Sequence, residues 1–251
     1  MNAVIVDVAE LPTLEHEEAM RIAAEEYDRL LDLVARLEPR DWGRPTDCPG
    51  WDVKAMLGHL LGMMEIFADR SEATRQHGIA ARLVEQQGGL RIDALTALQV
   101  REHTHLGPAE LAAAMSEMAP RALAGRRATT AEDRSAPYPT GIPGEASWTR
   151  GYLVDVIMTR DPWMHRVDVC RATGRQLTLT AEHDGRILAD VVADWARRHG
   201  RPFTLVLGGP SGGTFTAGSA DHEIRLDAVE FCRILSGRGS GTGLLATSVP
   251  F

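Results

Sequence analysis

Two histidines and one carboxylate are the residues of this sequence whose types and spacing best suit chemistry. Asp161 and His165 stand four residues apart in a segment with a helical pattern, so a helix presents both side chains on one face. His59 lies far away in the chain, within an unusually apolar segment. Two facing helices could therefore bring three metal ligands together, and three protein ligands leave the open position typical of catalytic zinc. Asp168 could orient a ligand histidine from behind.

The same residues also have purely structural interpretations. Asp161 is followed by Pro162, a pair typical of a helix N-cap whose carboxylate accepts backbone N–H groups instead of holding a metal. A single histidine in an apolar helix, such as His59, is more often a satisfied core residue than a ligand. Spacing alone therefore leaves both the metal site and the structural reading open.

The helices that must position these residues follow from the apolar periodicity. The pattern predicts helices over residues 15–37, 53–69, 90–105, 108–126 and 149–172. Asp52 is expected to cap the second of these helices. Pro108 is expected in the first turn of the fourth, and Gly174 is expected to end the fifth. The second helix is apolar on more than one face, which predicts that it is the central helix of a bundle.

The last third of the chain has a different pattern. A predicted helix over 181–198 is followed by short strands at 203–207, 214–216 and 223–226 and by a final helix that ends at Leu235. We therefore predict an α+β protein in which residues 1–175 form a helical bundle and residues 176–251 form a small α/β domain.

Composition limits the class of protein. Of 251 residues, 44% are apolar and 25% are charged, which is typical of a globular chain. The net charge of −8 disfavours nucleic acids and anionic membranes as partners. The chain lacks an apolar run of the ~18–20 residues that cross a bilayer and a basic signal-peptide start. Three widely spaced cysteines favour a reducing compartment, so we expect a cytoplasmic protein.

Several other motifs carry little functional information. The segment 209–213 matches the G-x-S-x-G pattern, but no helix follows it and too little chain remains for a hydrolase triad, so we predict a turn. The glycine-rich run 237–243 lacks the context of a phosphate-binding loop. His103 and His105 lie near a helix end and are expected at the surface. The cysteines are expected to be buried, although Cys48 could be exposed in its loop.

Three segments of the chain resemble the mycothiol-dependent maleylpyruvate isomerase family, which belongs to the DinB-like superfamily of metal-binding four-helix bundles. Residues 45–60 (PTDCPGWDVKAMLGHL) resemble the first signature of the family, and residues 160–168 (RDPWMHRVD) resemble the second. The tail, with residues 236–238 and 249–251, is similar to the C-terminal domain of many members. Lys54 is the only lysine among 27 basic side chains, which suits a high-GC actinobacterium, the kind of host that makes mycothiol.

This resemblance implies a set of roles. His59, Asp161 and His165 would hold a divalent metal, with zinc the expected ion, and mycothiol would be the thiol cofactor or cosubstrate. The founding isomerase of the family has glutamate where this chain has Asp161, and the shorter aspartate must approach the metal more closely. Arg238 is the candidate that grips a carboxylate of the substrate or of the thiol, with a solvated turn residue as its alternative interpretation.

The implied reaction is attack by a metal-bound thiolate on a small electrophile. In a maleylpyruvate-type isomerase the thiolate adds to a conjugated double bond, allows rotation and leaves. In an S-transferase it stays attached. Two alternatives stay open: a non-catalytic module of the same fold that binds a metal or a small molecule, and a bundle without a metal. Oligomeric state and the electrophile are not readable from the sequence.

Overall fold

The computed structural model describes residues 5–142, 144–145, 147–219 and 223–251, and the chain forms two compact units. One unit is Glu15–Arg175, and the other combines the described residues up to Leu14 with Gln176–Phe251. No helix within these described ranges is long and apolar enough to cross a membrane. In chain order the elements are β1 (Ile5–Asp7), α1 (His16–Val34), α2 (Val53–Ala68), α3 (Arg70–Gln87), α4 (Arg91–Glu102), α5 (Pro108–Arg127), α6 (Ala131–Ser135), β2 (Pro137–Tyr138), β3 (Trp148–Thr149), a π-helical stretch (Tyr152–Ile157), α7 (Met158–Thr173), α8 (Asp184–His199), β4 (Phe203–Gly208), β5 (Gly213–Ala217), β6 (Glu223–Asp227) and α9 (Ala228–Leu235).

The Glu15–Arg175 unit is a helical bundle around α2. Helices α1, α2, α5 and α7 pack together, and the α3–α4 pair lies against α2. Asp52 caps α2 as predicted, since its side chain accepts the Ala55 N–H at 2.8 Å. Residues on several faces of α2, including Met56 and Leu57, are fully buried. An all-round apolar helix is stable only when neighbours cover it, which explains why α2 occupies the centre.

The helix that carries Asp161 begins without a break. The π-helical stretch runs directly into α7, so Asp161 lies inside a helix and has helical residues before it. Pro162 follows inside the same helix. The N-cap interpretation of Asp161 is therefore wrong, and its carboxylate is available for other partners.

A buried arginine stabilises this unusual helix start. Pro162 has no N–H to donate to the carbonyl of Met158, four residues earlier. Arg126 of α5, which is fully buried, donates to that carbonyl from Nη1 at 2.9 Å. Its Nη2 donates to the carbonyl of Val154 at 2.7 Å. The guanidinium thus satisfies backbone acceptors that the proline and the π-helical stretch leave without regular helical donors.

The second unit is a four-stranded sheet with two helices. The strand order is β1-β5-β4-β6, with β1 parallel to β5, β4 antiparallel to β5 and β4 parallel to β6. Helices α8 and α9 pack on the sheet, where Trp195 meets Phe203 and Phe231 edge to face. The predicted α+β class, a helical bundle followed by a small α/β part, is confirmed.

Strand β1 and helix α3 are among the elements that differ from the sequence prediction. We assigned residues 1–175 to the bundle, but β1 pairs with β5 of the other unit. A three-residue strand acquires its conformation only from the strand beside it, so local pattern could not place it. Helix α3 was not predicted, because it buries only Gln76 and Ala80 and has no continuous apolar stripe.

Candidate metal centre

The bundle brings the three predicted metal ligands together. Nε2 of His59, on α2, lies 3.6 Å from Oδ2 of Asp161 on α7. Nε2 of His165, one turn further along α7, lies 3.2 Å from Oδ1 of the same carboxylate. One ligand atom of each residue lies within 4.8 Å of those of the other two. The two imidazole rings are perpendicular, with centroids 5.4 Å apart.

A buried ion pair holds the ligand-bearing face of α7 against the bundle. Arg166, next to His165, donates from Nε and Nη2 to the two carboxylate oxygens of Glu26 on α1, at 2.7 and 3.0 Å. Both side chains are almost fully buried. Bidentate pairing restricts rotation as well as distance, so it helps to set which face of α7 points at α2.

Each ligand histidine has a second partner on its other ring nitrogen. Nδ1 of His165 lies 3.1 Å from Oδ2 of Asp168, which is fully buried. Nδ1 of His59 lies 2.8 Å from Oε1 of Gln99 on α4. With Nδ1 occupied, both rings present Nε2 to Asp161, and this is how proteins orient histidine ligands. Asp168 lies at the position that the predicted orienting role requires.

The charges at this cluster favour a carboxylate beside an imidazolium. Burial alone would raise the pKa of Asp161, but the His165 and His59 rings lower it well below its usual range. Burial alone would lower the pKa of His165, but Asp161 and Asp168 raise it well above its ordinary value. A divalent cation would take the place of the His165 proton and satisfy the same oxygens.

The donor set fits a divalent cation. Two imidazole nitrogens and one carboxylate oxygen converge, and the histidine side chains are only 5% and 6% exposed while that of Asp161 is 15% exposed. Three protein ligands with a partly accessible carboxylate match the pattern of a catalytic zinc site, although the same donors suit other divalent ions.

The loop before α2 contributes two further residues for which the sequence indicated no role. The Trp51 ring lies 5.1 Å from the His59 ring and 6.2 Å from the His165 ring, and Trp51 also lines a cavity of about 520 Å³. The Cys48 thiol lies 3.9 Å from Oδ2 of Asp168, within reach of the same carboxylate that holds His165. Both residues stand in the first signature segment, but the path of a loop between helices is not readable from periodicity.

Comparisons with known proteins identify the family of this chain. The family model described as the mycothiol maleylpyruvate isomerase N-terminal domain matches residues 23–170, a range that includes all three candidate ligands. The chain belongs to this family. The resemblance of the two signature segments is thereby confirmed.

Solved structures show the same fold for this maleylpyruvate isomerase family member. A mycothiol-dependent maleylpyruvate isomerase matches with 17% sequence identity and a TM-score of 0.58, covering 94% of this chain and 93% of that chain. A histidine-to-alanine mutant of the mycothiol-dependent maleylpyruvate isomerase matches with 16% identity, the same coverage and the same TM-score. A search of curated proteins finds no match.

One histidine of the family member lies where we did not expect it. His103 is only 7% exposed, so its predicted surface position is wrong. Its Nε2 lies 3.2 Å from Oε1 of Glu65, and its Nδ1 lies 2.8 Å from the carbonyl oxygen of Gln99. A carboxylate and a carbonyl satisfy both ring nitrogens, which is how this polar side chain tolerates burial.

Arg238 lies in the second unit, in the turn after α9. Its backbone N–H donates to the carbonyl of Arg233 at 2.8 Å, and its side chain is half-buried. Its proposed contact with a carboxylate stays a prediction.

Proposed function

We propose that this protein is a metal-dependent and mycothiol-dependent enzyme that acts on a small electrophile, by maleylpyruvate-type cis–trans isomerisation or by S-transfer. The observation that carries this proposal is the convergence of His59, Asp161 and His165 from two helices of the bundle. Membership of the mycothiol maleylpyruvate isomerase family supports the choice of thiol and of reaction.

The residues of the centre have separable tasks in this proposal. Nε2 of His59, Nε2 of His165 and a carboxylate oxygen of Asp161 would hold the cation, for which we propose zinc. When bound, such a cation supplies a position at which a thiol loses its proton at neutral pH. Asp161 also offsets part of the cation's positive charge. The Trp51 ring places apolar surface beside both histidines and limits access of water to them.

The reaction itself is simple in its atoms. The thiolate sulfur adds to one carbon of a conjugated cis double bond, and the electron pair of that bond moves onto the conjugated carbonyl as an enolate, so the former double bond becomes a single bond and rotates. The enolate then expels the same sulfur, which restores the double bond in the trans form and regenerates the thiolate. If the enolate carbon takes up a proton instead, the sulfur is retained and the product is an S-conjugate. Arg238 is the cation that we propose to hold a carboxylate of the substrate or of the thiol.

The test uses full-length protein purified without a histidine tag and loaded with zinc. It is mixed with mycothiol and maleylpyruvate, or with a panel of other electrophiles, and the products are identified by NMR and mass spectrometry. We expect a trans isomer or a mycothiol conjugate, and we expect the His59→Ala variant to lose both metal and turnover. Stoichiometric zinc with no product across the panel would instead support a non-catalytic binding module. Absence of stoichiometric metal would overturn the metal centre.

A further inference from the structure

Two buried amides stand in line behind the imidazole of His59. Oε1 of Gln99 lies 2.8 Å from Nδ1 of His59, and Nε2 of Gln99 donates to Oε1 of Gln76 on α3 at 3.0 Å. Both glutamine side chains are fully buried. A contact between an amide and an imidazole does not by itself fix the proton, because the amide can be turned round and either ring nitrogen can carry hydrogen.

The surroundings of Gln76 determine which atom donates and which accepts in each of these hydrogen bonds. The amide nitrogen of Gln76 lies near three acceptors, which are the Gly62 carbonyl at 3.3 Å and the carboxylates of Glu65 and Glu72 at 3.4 and 2.9 Å. An NH₂ group must point at three oxygens, since an amide oxygen there would be repelled. A hydrogen bond from Arg75 lowers the pKa of Glu72, which keeps this acceptor ionised.

The orientation of the Gln76 amide then determines the orientation of the Gln99 amide and the position of the hydrogen on His59. Because the NH₂ of Gln76 points at the carboxylates, its oxygen faces Gln99. Gln99 must therefore donate to that oxygen from its own NH₂. Sδ of Met63, a weak acceptor, lies 3.1 Å from the same nitrogen. The oxygen of Gln99 is therefore left to face Nδ1 of His59, which must carry a hydrogen.

A glycine on α2 allows Gln99 to pack closely against that helix. A side chain at Gly62 would put its Cβ 2.5 Å from Cγ of Gln99, so only glycine lets Gln99 lie this close to α2. The carbonyl of Gln99 also accepts from Nδ1 of His103 at 2.8 Å, which holds the end of α4 in place.

We propose that Gln99 and Gln76 are positioning residues that hold His59 in the Nδ1–H tautomer and so reserve Nε2, the ring nitrogen nearest to Asp161, as the metal-binding atom. His165 is oriented differently. Both oxygens of the Asp168 carboxylate are acceptors, so Asp168 can accept a hydrogen from Nδ1 of His165 whichever way its carboxylate is turned. The role of these hydrogen bonds in metal binding rests on the proposed function. The tautomer itself is a property of the protein without metal.

The decisive measurement is a long-range ¹H–¹⁵N correlation spectrum of histidine-labelled, zinc-stripped protein at mildly alkaline pH, where a neutral imidazole reports which nitrogen carries hydrogen. We expect only Nδ1–H at His59 in the wild type. In Gln76→Leu, Gln99 remains but is free to turn, so we expect the Nε2–H form to appear. The same variant should bind zinc about 10–100-fold more weakly, measured by competition with a chelating dye. Gln86→Leu, an exposed change on the same helix, should leave both readings unaltered.

A second variant separates positioning from simple packing. Gln99→Glu still offers an oxygen to Nδ1–H but loses the NH₂ that meets Gln76, so it should lower stability while His59 keeps its tautomer. An Nε2–H or mixed signal in the wild type would overturn the proposal, as would an unchanged Nδ1–H signal in Gln76→Leu. Failure of the wild type to bind zinc would count against the proposed function only, because the spectrum is recorded without metal.

Discussion

At the scale of single residues, the metal centre depends on the residues that hydrogen-bond to the ligand histidines as much as on the ligands themselves. A fully buried carboxylate holds His165, and a line of two amides holds His59. Asp161 is the ligand with the most exposed side chain and the one that contacts both histidines. Its charge therefore has the largest influence on how the cluster receives a cation.

Asp161 provides the first prediction. Asp161→Asn keeps the shape but removes the charge and a strong metal ligand, so zinc binding should weaken by about 100-fold or more, beyond what loss of an outer partner causes. Asp161→Glu keeps the carboxylate and should stay within about 10-fold of the wild type, since only one methylene is added. Dye competition measures both constants, and exposed Asp32→Asn on α1 is the control. Equal zinc affinity in Asp161→Asn and the wild type would show that the carboxylate is not a ligand.

At the scale of elements, α7 is a helix that carries a proline one residue after a candidate ligand and is nonetheless continuous. The structure explains this by the donors of Arg126, which replace the hydrogen bonds that a regular helix would make. The position of Asp161 and His165 thus depends in part on a residue of α5.

The second prediction tests this support. Arg126→Met removes the guanidinium donors from the carbonyls of Met158 and Val154 and should lower the free energy of unfolding by about 2–5 kcal/mol. Pro162→Ala restores an N–H that can reach the Met158 carbonyl, so the same arginine change should cost about 1 kcal/mol less in that background. Urea unfolding of the wild type, the two single variants and the double variant measures the coupling free energy between Arg126 and Pro162. Arg121→Met, at the surface of the same helix, should change stability by less than about 0.5 kcal/mol.

An identical cost of Arg126→Met in both backgrounds would contradict the explanation. It would mean that the guanidinium stabilises the bundle without compensating for the proline.

The third prediction concerns the contact between α4 and α2. Burial alone would lower the pKa of His103, but Glu65, the Gln99 carbonyl and Glu102 raise it above its ordinary value. Because the pKa of His103 is raised in the folded state, its ion pair with Glu65 contributes fully to the free energy of unfolding below the unfolded-state pKa of about 6.5. This contribution is lost as the pH rises through the folded-state pKa. The wild type should therefore exceed His103→Asn in stability by more at pH ~5.5 than at pH ~9. Urea unfolding at both pH values measures this difference, and a gap that grows with pH would contradict it.

At the scale of the whole molecule, the ligands connect parts of the chain that are far apart in sequence. A cation that binds only the folded protein stabilises it by mass action. With free zinc at 100–1,000 times its dissociation constant, the gain should be about 3–4 kcal/mol. The fourth prediction is that a chelator lowers the melting temperature of the wild type and that added zinc restores it, whereas Asp161→Asn shows a much smaller shift. Calorimetry with and without zinc measures both proteins, and a zinc-dependent shift of the same size in the variant would place the ion elsewhere.

The sequence by itself determined the features that are local. Asp161 and His165 share a helix face because helical spacing is a property of neighbouring residues, and Asp52 caps α2 for the same reason. The apolar pattern predicted the central position of α2 and the strands β4, β5 and β6 of the second unit. The two signature segments by themselves indicate the family.

Only the tertiary structure decided which segments meet. It brought His59 to α7, excluded the N-cap reading of Asp161 and buried His103, Gln99 and Gln76 behind the centre. It also paired β1 with β5, far along the chain. The physical reason is the same in each case. Periodicity reports how much of a segment is covered but not by what, and a buried polar side chain takes its role from partners that only the fold supplies.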